Sequence, residues 1–355
     1  MSYLKIFFLM LCMILVSCTG QKTGKENDNN DKIAIEVGEI KFPPQDVLQL
    51  KSYYLSSSVH VDSIDYLIGY NYRLHSLDCM NLKSKSVTQI VLPGDGPDAI
   101  VRLSGIYAQS LDSVWISDES ERAFLIDSVG TIKRMIDLKK YLEDQEQLLI
   151  NTNYAMFTSH LFYNASRHSL MFLVKHTPSN TFIVKEAFID EVGKMATYQL
   201  SSSKVVPDMS KGYAYINFPN VNFVGENIVY NYPVESSIYM LDIRTNERKY
   251  ILADSHYTSN IIEKCTTSGD YATLEKHWLE NSHFYDIMYL PKYKIYARLH
   301  ADKVDFDEKK GMEKLINERD LYLMLFDENM EKIGETKLSN CRYRNKSTRR
   351  YRGNL

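Results

Sequence analysis

The residues best able to do chemistry are few and scattered. VLPGDGPDAIVRL, residues 91–103, sets Gly94, Asp95, Gly96, Pro97 and Asp98 between two apolar runs, a composition that invites comparison with a phosphate cradle. A phosphate loop needs a Lys-Ser or Lys-Thr pair and a helix start behind its glycines, so that amides and a cation converge on the anion. A dinucleotide site needs a third glycine within a strand–helix–strand unit. Neither follows here, so the stretch reads as a connection in which glycine permits positive φ and Pro97 fixes the exit. No HExxH, GxSxG or paired Cys–His arrangement occurs in the chain. The nine histidines are dispersed, and His75 and His160 read as structural. Acids are abundant enough to supply a glycosidase pair from separate elements, but no spacing selects one. Cys79, Cys265 and Cys341 are odd in number and widely spaced, which suits buried thiols rather than disulfides or zinc; no metal or cofactor is expected.

Five acids do recur in one position, and they lead to the elements that hold everything else. An apolar strand, a short gap, a second strand ending in an apolar residue and Asp, a polar turn and a third strand form one phrase. It repeats over residues 63–92, 112–138, 168–200, 226–252 and 293–338. The acids are Asp78, Asp127, Asp190, Asp242 and Asp327. An Asp carboxylate accepts hydrogen bonds from amides two residues on and so starts a hairpin turn, which makes structure rather than catalysis the expected role of all five.

Short antiparallel strands in a phrase repeated every 50–65 residues or so are the arithmetic of β-propeller blades. The expected fold is all-β: five copies, with KIAIEVGEI (32–40) and LKSYYLSSS (50–58) pairing into a last blade, predict a six-bladed ring whose last blade is incomplete. Three stretches depart from the phrase. Residues 138–150 suggest a short helix, 261–284 an elaboration with helical spacing in its second half, and 302–320 a charged, partly helix-like excursion, solvated on one face rather than bound to a partner. Tyr-rich strands such as GYAYINFPNVNF (212–223) could present rings to sugars, though rings of this kind mostly pack strands.

The two ends differ from the middle. MSYLKIFFLMLCMILVSC carries one cation, Lys5, before an apolar run from Ile6 to Val16 that is too short to span a bilayer, which is the pattern of a secretory signal. Leu15-Val16-Ser17-Cys18 resembles the bacterial lipobox, whose cysteine is acylated and becomes the new N-terminus. That resemblance implies residues 1–17 as a lipoprotein signal peptide, lipid on Cys18 and attachment to the membrane through it. TGQKTGKENDNNDK then reads as a flexible tether over 18–32, with Glu26, Asp28 and Asp31 either solvated linker or an export signal. Residues 33–341 form the propeller domain. RYRNKSTRRYR, residues 342–352, begins a basic tail (342–355) with no strand pattern. Either five blades close the ring, or the tail is a truncated or frame-shifted end; the abrupt loss of acidic and aromatic residues favours the second.

Composition agrees with a folded body. The chain has 355 residues, 44% apolar and 25% charged, with 26 Tyr and 14 Phe, so disorder is excluded for most of it. Without the leader, 41 basic residues face 45 acids, and without the tail as well 35 face 45, so the body is acidic and no nucleic-acid partner is expected.

Lipobox, tether, blades ending in apolar-Asp turns, and a Gly-x-Gly-Pro loop followed by an acid together resemble the Bacteroides-type lipoproteins of unknown function with a six-bladed, TolB-like β-propeller. The resemblance implies a protein of the bacterial cell envelope, anchored to the outer membrane, and brings no catalytic residues. The expected function is a binding or protein-interaction module for an envelope protein or glycan, more readily than an enzyme. The alternative is a glycan-active hydrolase or lyase with its site at the propeller channel.

Overall fold

In the computed structural model, which describes residues 40–42, 53, 55–149, 161–205, 218–265 and 271–338, each of the five phrases forms the outer three strands of an antiparallel sheet. Blade one is β1 (Ser56–Val61), β2 (Ile64–Asn71), β3 (Ser76–Asn81) and β4 (Val87–Val91). Blade two is β5 (Leu103–Ser110), β6 (Ser113–Asp118), β7 (Arg122–Ile126) and β8 (Ile132–Asp137). Blade three holds β9 (Glu146–Leu148), β10 (Phe162–Asn164), β11 (Ser169–His176), β12 (Thr181–Phe188) and β13 (Met195–Gln199). Blade four is β14 (Asn220–Val224), β15 (Asn227–Asn231), β16 (Ile238–Asp242) and β17 (Arg248–Ile251). Blade five is β18 (His283–Leu290), β19 (Ile295–Ala301), β20 (Leu321–Phe326) and β21 (Lys332–Lys337).

The fold is a β-propeller, and among the described residues it has five blades rather than the six expected. The miscount has a local cause. Residues 50–58 do not add to a last blade; their end opens β1, which pairs with β2 from Ser56↔Gly69 to Val61↔Ile64 and supplies blade one with its first strand. Asp62 and Ser63 turn that hairpin with φ of 49° and 62°, the paired positive values that match strand twist in a two-residue loop. Of residues 32–40 only Ile40 is described.

First strands sit innermost: β1 lies against β5, β5 against β10, and β14 against β18. Side chains stitch them, since Ser57 Oγ accepts from the Ala108 amide at 3.1 Å and Asn222 Nδ2 donates to the Ile287 carbonyl at 3.1 Å. Fourth strands such as β13 alternate between exposed and half-buried residues, as a rim does. Hydrophobic clusters fill the seams: Ile68, Leu77 and Cys79 with Ile106 and Phe124 between blades one and two, Trp115 with Leu170 and Phe172 between two and three. Leu173 and Val184 pack with Tyr230 between three and four, and Val229 and Ile238 with Met324 and Phe326 between four and five.

One insertion differs from expectation. Only Leu138–Tyr141 coils, as one 3-10 turn, and β9 follows; it pairs with β11 (Val174↔Leu148) while β10 pairs with the other half of β11 (Phe162↔Met171), so two segments share the innermost place in blade three. Residues 302–320 are the charged, partly helical excursion expected, with most of their described side chains exposed or half-buried. They carry α2 (Met312–Glu318), which is tied to α1 (Tyr271–Leu279) of the preceding insertion by a few buried groups. Leu315 is buried, and Arg319 lies over the Trp278 ring at 5.2 Å while donating to the carbonyls of Asp302 (2.6 Å) and Asn281 (2.6 Å). Carbonyls left over at element ends are thereby satisfied by one guanidinium.

Candidate functional site

Three of the five recurrent acids do what their position predicts. Asp127 accepts from the amides of Val129 (3.1 Å) and Thr131 (2.8 Å), Asp242 from Arg244 (2.8 Å) and Thr245 (2.9 Å), and Asp327 from Asn329 (2.9 Å) and Glu331 (2.8 Å). Lys133 at 2.8 Å also donates to Asp127; that bond first, then the amides, outweigh burial and hold its carboxyl down to about 2. Gly130 completes this turn at φ 84°, where an added Cβ would also collide with the Val91 carbonyl of blade one.

The other two acids depart from the pattern. In blade one the turn is made by Asn81, which accepts from the amides of Lys83 (2.9 Å) and Ser84 (2.8 Å). Asp78 instead lies buried within β3 and receives Tyr53 Oη (2.6 Å), Gln89 Nε2 (2.7 Å) and Asn71 Nδ2 (3.0 Å). It fastens the Tyr53 ring over Gly69, where a Cβ would meet that ring. Asp190, at the same place in blade three, reaches across to the neighbouring blade. Its Oδ1 accepts from Arg134 Nη1 of β8 at 3.0 Å, and its Oδ2 lies 3.5 Å from His168 Nδ1.

Asp190 thus stands on the rim of a cleft of about 310 Å³ between blades two and three. The β5–β6 hairpin supplies Gln109 and Ser113, whose hydroxyl donates to Gln109 Oε1 at 3.3 Å; β8 supplies Lys133 and Arg134. From blade three come Tyr163 on β10 and His168, held at φ 49° in the turn before β11. Trp115, buried in β6, stacks on Tyr163 with ring centres 5.7 Å apart and planes 30° apart, and His168 meets Tyr163 edge-on at 6.3 Å. Arg134, His168 and Asp190 keep 43%, 66% and 60% of their side-chain surfaces in solvent. The cleft therefore offers guanidinium, carboxylate, imidazole and amide groups beside an aromatic wall, all reachable from water.

A second concentration of polar groups lies at the seam of blades four and five, and it is closed. Arg298 on β19 is wholly buried; it donates to the carbonyls of Ser236 and, at 2.9 Å, Ala253, and lies over the Phe284 ring at 4.9 Å. Burial draws it down to about 9 against the pull of Glu335, Asp254 and Glu235. Glu335 on β21 accepts from Ser255 Oγ (2.6 Å) and the His256 amide (3.0 Å), with Lys332 Nζ at 3.3 Å and His300 Nε2 at 2.9 Å. Burial opposes its charge, yet the bonds from His300, Ser255 and the His256 amide prevail and hold it to about 2. His300, shifted down by burial, is stacked between Phe284 (5.5 Å) and Tyr322 (5.1 Å), with Thr258 Oγ1 3.1 Å from Nδ1. A hydroxyl, an imidazole and a carboxylate stand here in relay order. The ring is closed on both faces and Glu335 is committed to four donors, so the assembly fastens the loop at 255–258 onto blade five.

The remaining residues singled out in the sequence fall elsewhere. Gly94–Asp98 connects β4 to β5, with Gly96 at φ 88° and the Ile100 amide bonded to the Pro93 carbonyl at 2.8 Å. His75 pairs with Tyr70 Oη at 3.0 Å, and Cys79 is buried, its thiol pushed up to about 12 by burial and then by Asp78. Val221 and Phe223 pack inside the 3–4 seam. Cys18, His160 and Cys341 lie outside the described residues. Sequence reasoning missed Arg134, Tyr163 and His168. The one signal that led toward them was Asp190, read there as a turn residue.

Comparison with known proteins supports the architecture. Residues 26–337 match the family described as domain of unknown function (DUF4221). No curated protein matches the chain. The crystal structure of a DUF4221 member from Bacteroides vulgatus ATCC 8482 is similar at a TM-score of 0.68 and 14% identity, over 86% of each chain. A putative exported protein from Bacteroides fragilis NCTC 9343 reaches a TM-score of 0.45 at 12% identity, over 87% of this chain and 78% of that one. Since the match runs through all five blades, the chain belongs to the DUF4221 family.

Proposed function

We propose that the protein is a lipid-anchored module of the bacterial cell envelope that binds a small polar ligand in the cleft between blades two and three. The observation that carries this reading is Asp190: of the five recurrent acids, it is the one whose carboxylate meets a cation of the neighbouring blade at a solvent-open cleft. Arg134 and Asp190 stand on separate blades, so a ligand that touches both is held by the seam. Pockets at such junctions, with a few convergent polar groups beside aromatic walls, are the usual places for small ligands.

Thermal-shift screening against small polar solutes and size-fractionated envelope extracts tests the cleft. A ligand at about 100 times its dissociation constant adds about 2.7 kcal/mol to stability. The expected result is a shift in wild type that is lost in Arg134→Ala and Asp190→Asn; shifts equal in all three proteins overturn the reading. The anchor assigns residues 1–17 to a leader, Cys18 to lipid at the outer membrane and 18–32 to a tether before the propeller. Intact mass of membrane-extracted protein checks it: acyl mass on a chain starting at Cys18, absent in Cys18→Ala, is expected.

A further inference from the structure

We infer that the ligand of this cleft is an uncharged, hydroxyl-rich compound, a neutral sugar ring or short neutral oligosaccharide, which rests on the cleft being the binding site. The first argument is charge. Both permanent cations of the cleft already face an acid: Lys133 Nζ lies 2.8 Å from Asp127, and Arg134 Nη1 lies 3.0 Å from Asp190. An anionic ligand would compete with Asp190 for Arg134, and a cationic one would compete with Arg134 for Asp190. A neutral ligand leaves the pair intact and uses what it has to spare.

What it has to spare is matched donors and acceptors. A guanidinium carries five N–H groups, so Arg134 keeps donors beyond the one given to Asp190. Asp190, its side chain more than half exposed, keeps acceptor positions on its carboxylate. The Gln109 amide nitrogen adds a donor, its carbonyl being taken by Ser113. A sugar hydroxyl donates and accepts at once, and neighbouring hydroxyls present that pair to a planar guanidinium or carboxylate in a fixed geometry. The second argument is shape. Tyr163 on Trp115, with Leu125 and Ile189, gives the cleft an apolar lining alongside its polar groups, and a sugar ring likewise has a C–H face and a hydroxyl edge. The volume, about 310 Å³, is at the small end of ligand sites and suits one or two rings.

Calorimetry on the full chain with cellobiose, maltose and diacetylchitobiose as neutral probes, digalacturonate as an acidic one and chitosan disaccharide as a cationic one tests the class. At least one neutral disaccharide should bind, with the charged probes roughly tenfold weaker or worse, and Arg134→Ala should cost roughly tenfold, the size of one charge-assisted hydrogen bond. Tightest binding by a charged probe, or silence from every neutral one, overturns the inference. If the solute screen then finds another ligand that Arg134→Ala abolishes, the sugar class falls and the cleft stands. Neutral sugar bound equally by wild type, Arg134→Ala and Asp190→Asn refutes both. Since Arg134 and Asp190 are half-exposed, unchanged melting temperatures for the variants confirm that lost binding is not lost fold.

Discussion

The 2–3 seam and the 4–5 seam hold similar inventories of Arg, His and carboxylate, yet water reaches the first and is shut out of the second. Arg134 keeps 43% of its side chain in solvent, whereas Arg298, His300 and Glu335 keep none. A charge pair in water contributes little to stability but can exchange partners with a ligand. A buried one is committed to its neighbours, and removing any member strands the rest. Burial, more than residue type, decides which seam keeps its charges open to solvent and which one commits them to neighbours.

Five substitutions sharpen or break that contrast. Glu335→Ala should cost the most, roughly 3–5 kcal/mol, because it strands His300, Lys332, Ser255 and the His256 amide; urea unfolding midpoints read it. The same group predicts an acid limb. Its carboxyl falls from an ordinary 4.5 to about 2 on folding, so its contribution is whole above about 4.5 and fades as pH drops toward 2. The stability gap between wild type and Glu335→Gln should narrow over that window, and a gap constant with pH would mean Glu335 is not ionised in the fold. Tyr53→Phe comes next, at roughly 1–3 kcal/mol for a hydrogen bond to a charged acceptor. Asp127→Ala should cost less again, through its two turn amides, and Asp190→Ala least, under about 0.5 kcal/mol, since its partners are exposed. Equal costs for the last two would return Asp190 to an ordinary turn role and remove the ground for the cleft.

Much of the fold was legible. All five phrases are strands in the expected order, because period-two alternation and turn chemistry act between residues a few positions apart. The first strand of each blade was not: β5, β10, β14 and β18 lie ahead of the repeated phrase and share none of its turn chemistry, and β1 falls to another blade. For the site, the recurrence that singled out Asp190 was visible while its partner was not.

The sequence by itself determined the phrase and three Asp turns, both of which rest on contacts within one hairpin. Tertiary structure alone decided that Asp78 would be buried beneath Tyr53, that Asn81 would take its turn, and that Asp190 would meet Arg134. That last pair is 56 residues apart, and Arg298 lies 62 residues from the Ser236 carbonyl it satisfies. Such distances are closed only when whole blades pack, and how closely two blades pack sets whether water reaches the charges between them.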